Sequence, residues 1–195
     1  MGVVPNSSKH HREAHTSDQS ELTTISFAAR TLVMIAERRK GVDASHSRLA
    51  LLHIESSTLI YRQLRRVLTR HKLTDLQFTV LVILFSTEPE PLSASVLAEH
   101  AVVSRSAMTD AIDRLEAARF LTRSRDEFDR RVTYVRITPA GLDAIDRAIN
   151  DYLQAAEIGV RELRPMTQRA LFVAYIELLR ALSKDDAKAE DGAVR

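Results

Sequence analysis

Residues 91–136 read PLSASVLAEHAVVSRSAMTDAIDRLEAARFLTRSRDEFDRRVTYVR, and the fold is decided there. Ser93 supplies a hydroxyl N-cap for a short helix to about His100, with Val96 and Leu97 facing inward. Ala101-Val102-Val103 makes a tight connection, and Ser104 caps a second helix. Met108, Ile112 and Leu115 in that helix recur at three- and four-residue steps, the spacing of one buried face. Two runs of strand-like alternation follow, 120–123 and 132–137. Between them lies SRDEFDRR, too polar to enter a core.

The outward positions of the second helix are Ser104, Arg105, Ser106, Thr109 and Asp110, all near its N-terminus, while Ser93 and Ser95 open the first helix. Short hydroxyls reach phosphates, a long Arg hydrogen-bonds guanine in two places, and a helix N-terminus turns positive dipole toward phosphate. Two short helices joined by a tight turn occur in many folds; the hairpin behind them makes the pattern informative. Arg123, Arg125, Arg130 and Arg131 crowd a short projecting loop, where an Arg can enter the narrow minor groove of DNA. Asp126, Glu127 and Asp129 repel phosphate, so at least one is expected to pair with a neighbouring Arg and stiffen the loop.

Outward from this stretch the chain is helical. Residues 1–17 are polar, with His10, His11 and His15 lacking further metal ligands, and read as a disordered tail. Asp18 and Glu21 have N-cap and N3 spacing before a helix carrying Leu22, Ile25, Ala29, Leu32 and Ile35. It ends near Gly41 within an extension over 18–47. A helix over 48–70 shows Leu52, Leu59, Ile60, Leu64, Val67 and Leu68 at helical spacing, with Arg62, Arg65, Arg66 and Arg70 on its polar side. Thr74 and Gln77 have capping-box spacing ahead of the nearly all-apolar run Phe78 to Phe85, expected to be buried. Thr138-Pro139 starts a long helix over 139–164, with Leu142, Ile145, Ile149, Tyr152, Ala156, Val160 and Leu163 in one stripe. Pro165 breaks it. A last helix over 167–183 carries Leu171, Tyr175, Leu178, Leu179 and Leu182, and 185–195 reads as a polar disordered tail. A long helix beside a small lobe cannot bury its whole stripe alone, so these five residues are expected at a dimer contact.

Composition narrows the function. With no cysteine in 195 residues, disulfides and thiolate zinc sites are excluded. A formal charge of +2 is too small to imply nucleic acid, so the argument rests on where the basic residues lie. Absence of Trp disfavours a single-strand stacking platform. No bilayer-length apolar run and no secretory leader are seen, so a cytoplasmic protein with no membrane partner is expected. The sequence has no phosphate-cradling Gly loop, HExxH or nucleophile elbow, and neither an enzyme nor a cofactor is expected.

Leu73-Thr74, Gln77-Phe78, Leu81, Pro91-Leu92-Ser93, Leu97-Ala98, Val103-Ser104-Arg105-Ser106, Thr109, Arg114-Leu115-Glu116, Leu121, Arg123, Asp129-Arg130-Arg131, Ile137-Thr138 and Gly141 together resemble the MarR family of winged helix-turn-helix regulators, over about residues 48–184. The resemblance implies a mainly α fold with a small β-hairpin, in which a winged helix-turn-helix lobe (about 73–137) joins a helical dimerisation lobe. It further implies a homodimer on a pseudo-palindromic duplex operator, usually a repressor, released by a small aromatic or phenolic effector. By the same resemblance Ser104 to Asp110 start the recognition helix, and Asp129 and Arg131 match the wing-tip pair, with Arg130 or Arg131 toward the minor groove. His53, Arg62 and Arg66 are the candidate effector-binding groups. A winged helix used only for protein contacts is the alternative. Two positions depart from the family pattern. Arg119 stands where a Gly usually follows the Leu-Glu pair, making a left-handed helix end costlier. Asp110 replaces a basic or neutral residue, which turns attention from phosphate to a cytosine amino group.

Overall fold

The computed structural model describes residues 25–126, 129 and 132–193, with side chains to 184. The chain divides into two compact units, Met1–Arg62 and Gln63–Arg195. The 1–17 tail, its three histidines and the Asp18/Glu21 pair lie outside the described residues.

In the first unit, α1 spans Phe27–Arg38 and α2 spans Ala44–Arg70, continuing into the second unit. Within the described residues the helix carrying Ala29, Leu32 and Ile35 is capped at Ser26, whose Oγ accepts from Ala29 N (3.2 Å), and Ile25 precedes it. Ser26 also donates to Glu55 Oε1 at 2.6 Å, so the cap is anchored to α2, a contact that no local spacing reveals. Ala29, Val33 and Ala36 form the buried stripe of α1. At the start of α2, Asp43 accepts from the backbone N–H of His46 (2.9 Å), which holds its carboxyl below the usual carboxylate range. The apolar positions of α2 fare unevenly. Val67 and Leu68 are buried, whereas Leu59 and Ile60 are exposed.

The second unit holds α3 (Asp75–Thr87), β1 (Leu92–Ser93), α4 (Ala94–His100), α5 (Arg105–Ala117), β2 (Leu121–Arg125), β3 (Thr133–Ile137), α6 (Pro139–Arg161) and α7 (Pro165–Ala193). The capping box forms as expected: Gln77 N donates to Thr74 Oγ1 (3.2 Å) and Thr74 N to Gln77 Oε1 (2.9 Å). Val80, Leu81 and Leu84 of α3 are fully buried, and with Leu97, Met108, Ile112, Leu115, Leu121, Val135 and Ile145 they make the core. Phe85 is an exception, 40% exposed at the outer edge. Phe78 stacks on Tyr152 of α6 with ring centroids 4.6 Å apart.

The hairpin gains a third strand. Leu92 and Ser93 pair antiparallel with Val135 and Tyr134, giving the order β1-β3-β2. Two residues are too few for alternation to register. β2 also runs on to Arg125, which faces Thr133 across the ladder. Two further corrections concern the C-terminal helices. Pro165 begins α7 rather than only ending α6, because proline at a first helical position loses no hydrogen bond. Gln168 then donates its amide to the carbonyls of Val160 (3.1 Å) and Leu163 (2.9 Å), closing the end of α6. The segment 185–193, expected to be disordered, continues α7; its Ala, Lys and Glu are good helix formers and no proline interrupts them.

Helices α2, α4 and α5 end alike. Lys72 (φ 57°), Val102 (φ 53°) and Arg119 (φ 62°) are left-handed. In each case the next residue's N–H reaches five residues back: Leu73 to Leu68 O (2.9 Å), Val103 to Ala98 O (3.0 Å), Phe120 to Leu115 O (2.9 Å). This is the Schellman closure, usually made with glycine. The extra cost anticipated at Arg119 is therefore present, and Val102, being β-branched, bears a larger one.

Gly141 in the first turn of α6 lies directly over the end of α5; a Cβ there would sit 2.1 Å from Phe120 O. Gly141→Ala should therefore lower the unfolding free energy by about 1–3 kcal/mol, and Val102→Gly should raise it by about 1 kcal/mol. Urea midpoints at one fixed protein concentration check both, and an unchanged midpoint for Gly141→Ala would show that the helix start can shift at no cost.

Candidate nucleic-acid interface

The outward side chains of α5 owe their display to the burial of the opposite face. Met108, Ala111, Ile112 and Leu115 are buried, which leaves Ser104, Arg105, Ser106, Thr109 and Asp110 exposed. Ser104 Oγ accepts from Ala107 N (3.3 Å) and lies 3.0 Å from Ser106 Oγ. Thr109 donates its hydroxyl to Arg105 O (2.9 Å), so its methyl is left to face outward. The first helix repeats the arrangement: Val96 N donates to Ser93 Oγ at 3.3 Å, and Ser93 Oγ is 2.9 Å from Ser95 Oγ. Two hydroxyl-rich helix starts thus flank one turn, in a lobe where α4 packs on α5.

The wing residues separate into two roles. Arg125, at the free end of β2, is exposed. Arg123 instead turns back onto α5, where its Nη2 donates to Asp113 Oδ1 and its Nε lies 3.4 Å from Glu116 Oε2. The sequence places Arg123 at the end of the first strand, among the arginines of the wing; the structure keeps it in β2 but turns its side chain onto α5. Its partner carboxylates lie seven and ten residues upstream on another element, beyond any local pattern. Arg136 likewise donates through Nη1 to Pro89 O, tying β3 to the segment before β1.

At the loop, Asp126 N donates to Val132 O (3.1 Å) and Val132 N to Asp129 O (2.9 Å), while Asp126 Oδ1 accepts from Asp129 N (2.8 Å). Asp126 thus stiffens the turn through backbone as well as any cation. Arg130 and Arg131, and with them the wing-tip pairing expected for Asp129, lie outside the described residues. On α2, His53 is half-buried and Arg62 and Arg66 are exposed, with Arg66 donating to Gln63 (3.4 Å). Of the dimer candidates, Leu171 and Tyr175 are half-buried and Leu178, Leu179 and Leu182 exposed; Phe172, which the sequence reading does not single out, is 67% exposed on the same helix.

A three-stranded wing behind a helix pair with a polar N-terminal face is the geometry of a winged helix-turn-helix, and a sequence model of the MarR family matches residues 73–133. Over this stretch the chain is similar in sequence to the MarR family and has the fold of a winged helix-turn-helix. The chain is similar to the HTH-type transcriptional regulator PecS of Dickeya dadantii, 31% identical over 99 residues, covering 50% of this chain and 60% of PecS. It thus spans about 60% of the length of the curated relatives it matches. Among solved structures, Sco3205 of Streptomyces coelicolor, a MarR family transcriptional regulator in complex with DNA, shares the fold at a TM-score of 0.63 and 24% identity, over 75% of this chain and 90% of that one. BpsR of Bordetella bronchiseptica, whose DNA binding is regulated by 6-hydroxynicotinic acid, aligns at 0.56 and 26% identity, over 68% of this chain and 90% of that one.

Because Arg123 joins β2 to α5, Arg123→Gln should speed amide exchange in residues 121–125 and 133–137 several-fold without loss of helix content. Asp113→Asn combined with it should add less than its own separate effect. Fully additive effects would remove the tether.

Proposed function

We propose that this chain is a sequence-specific DNA-binding transcriptional regulator that acts as a homodimer on a pseudo-palindromic duplex. The observation that carries the reading is the exposed polar start of α5, Ser104, Arg105, Ser106 and Thr109, beside a wing whose Arg123 is fastened to the same helix. A protein-contact surface of this size would present apolar residues at its centre; this one presents hydroxyls and guanidinium. α5 enters the major groove by its first turns, Arg105 reads a guanine, and the outward Thr109 methyl suits a thymine methyl. Arg125, Arg130 and Arg131 lie along the adjacent minor groove and backbone, with Ser93 and Ser95 on phosphate.

Dimerisation is supported by α7. Across its 29 residues no described side chain is buried, while Phe172, Leu178, Leu179 and Leu182 form an exposed apolar stripe. A second copy covers such a stripe by symmetry and sets two recognition helices about 34 Å apart, one turn of DNA. The regulator acts as a repressor relieved by a small aromatic or phenolic acid, a reading supported by the family resemblance and by the effector of BpsR.

Selection of bound duplexes from a random pool, followed by sequencing, tests this directly. The expected product is an inverted repeat with half-sites about one turn apart. Arg105→Ala should cost about 1–3 kcal/mol on that site and relax one position in each half, whereas Leu178→Asp with Leu182→Asp should give a monomer by sedimentation that no longer holds the full repeat. Recovery of no duplex above background at any salt concentration would leave a winged helix for protein contacts.

A further inference from the structure

The recognition helix carries three carboxylates besides its basic residues: Asp110, Asp113 and Glu116. Their surroundings differ. Asp113 and Glu116 both face Arg123, whose single charge they share, and so their acidity is accounted for inside the lobe. Asp110 is exposed, and among the described residues its carboxylate makes no hydrogen bond or ion pair. Nor does it do anything for the helix. As the sixth residue of α5 it lies beyond the first turn, where an acid gains from the helix dipole. Asp is a poor helix former in an interior position, and the available i,i+4 partner, Arg114, is not engaged. What remains is its direction. At roughly 100° per residue Asp110 stands about 40° from Ser106 and 100° from Thr109, on the face of the N-terminal half that the hydroxyls occupy.

We propose that Asp110 is a specificity-determining residue that accepts a hydrogen bond from the N4 amino group of a cytosine in each half-site. The inference rests on the DNA-binding reading above. An ionised carboxylate is acceptor-only. In the major groove the exocyclic amino groups of cytosine and adenine are the donors, while guanine O6 and thymine O4 would face it as acceptors. A carboxylate at this interface repels phosphate on every sequence, so it weakens non-specific binding while favouring the one pair that supplies the donor. Its contribution is discrimination rather than affinity.

The test runs the random-duplex selection in parallel on the wild-type protein, Asp110→Ala and Asp110→Asn, all at one salt concentration. The wild type should fix a C·G pair at one symmetric position per half-site. Asp110→Ala should leave that position degenerate, with roughly tenfold or more discrimination lost, and should bind unrelated duplex more tightly than wild type. Asp110→Asn should move the preference toward adenine, whose N6 and N7 an amide reads together. Retention of the same cytosine by both variants, with the rest of the repeat intact, overturns the assignment and leaves the DNA-binding reading standing. A wild-type protein that selects no duplex overturns both. The position is exposed and off the core, so equal thermal midpoints for the three proteins are expected and confirm that the comparison is between folded chains.

Discussion

Three helices of this protein end by turning a residue with a side chain into the left-handed region, and much of the lobe depends on that turn. Lys72, Val102 and Arg119 each reverse the chain so that the next residue, Leu73, Val103 or Phe120, drops toward the core. Each closure satisfies two helix-end carbonyls that would otherwise lack donors. None uses glycine, although each L-residue costs about 1–2 kcal/mol there. The cost is met by burial: the apolar residue delivered by each turn joins the same cluster of α3, α4, α5 and the sheet. The third closure is the most constrained. Phe120 O accepts from Thr138 N (3.0 Å), Thr138 Oγ1 donates to Arg119 O (2.7 Å), and Gly141 leaves room for that carbonyl beneath α6. The end of the recognition helix, the start of the wing and the start of α6 therefore meet at one point.

That junction fixes one end of α5 relative to β2, and Arg123 fixes the rest. A helix held at its C-terminus alone can pivot about it. The ion pairs to Asp113 and Glu116 lie within its second half and oppose such a pivot, leaving the N-terminal turns to project. Through these contacts α5 and the hairpin are tied together at two places. In a proposed dimer of such lobes, a ligand could change their separation only to the extent that it binds one separation better than the other.

How much of this was legible depended on range. The N-caps Thr74, Ser93, Ser104 and Thr138 were readable because cap chemistry is confined to three or four residues. The buried faces of α3 and α5 were readable because period alone identifies them. The departure at Arg119 could be seen as a cost and is found as one. What escaped was non-local or too short. The Ser26 cap is tied to Glu55, 29 residues on, a contact that no local spacing announces. β1 has two residues and exists only because β3 offers an edge. Arg123 reads as a strand-end arginine of the wing, and its carboxylate partners on α5 lie beyond any local pattern. α7 runs through a segment whose charge suggested a tail, although its composition favours helix on propensity alone.

The exposed apolar surface is unevenly spread, and the unevenness bears on assembly. In α6 the buried residues Gly141, Ile145 and Ala148 all lie in its first half, over the winged lobe; beyond Tyr152 the helix shows Leu153, Ile158 and Val160 to solvent. α7 adds exposed Met166, Phe172 and Val173. Single exposed apolar residues need no explanation, but six on two successive helices invite a partner surface. The winged lobe has already closed its own core without these residues. A self-complementary contact through the far ends of α6 and α7 would cover these side chains without drawing on the exposed N-terminal turns of α5. A heterologous contact between copies would either continue into an open chain or have to close as a larger ring. Only the isologous pairing directly gives two readers related by a two-fold axis, which is the symmetry an inverted repeat demands.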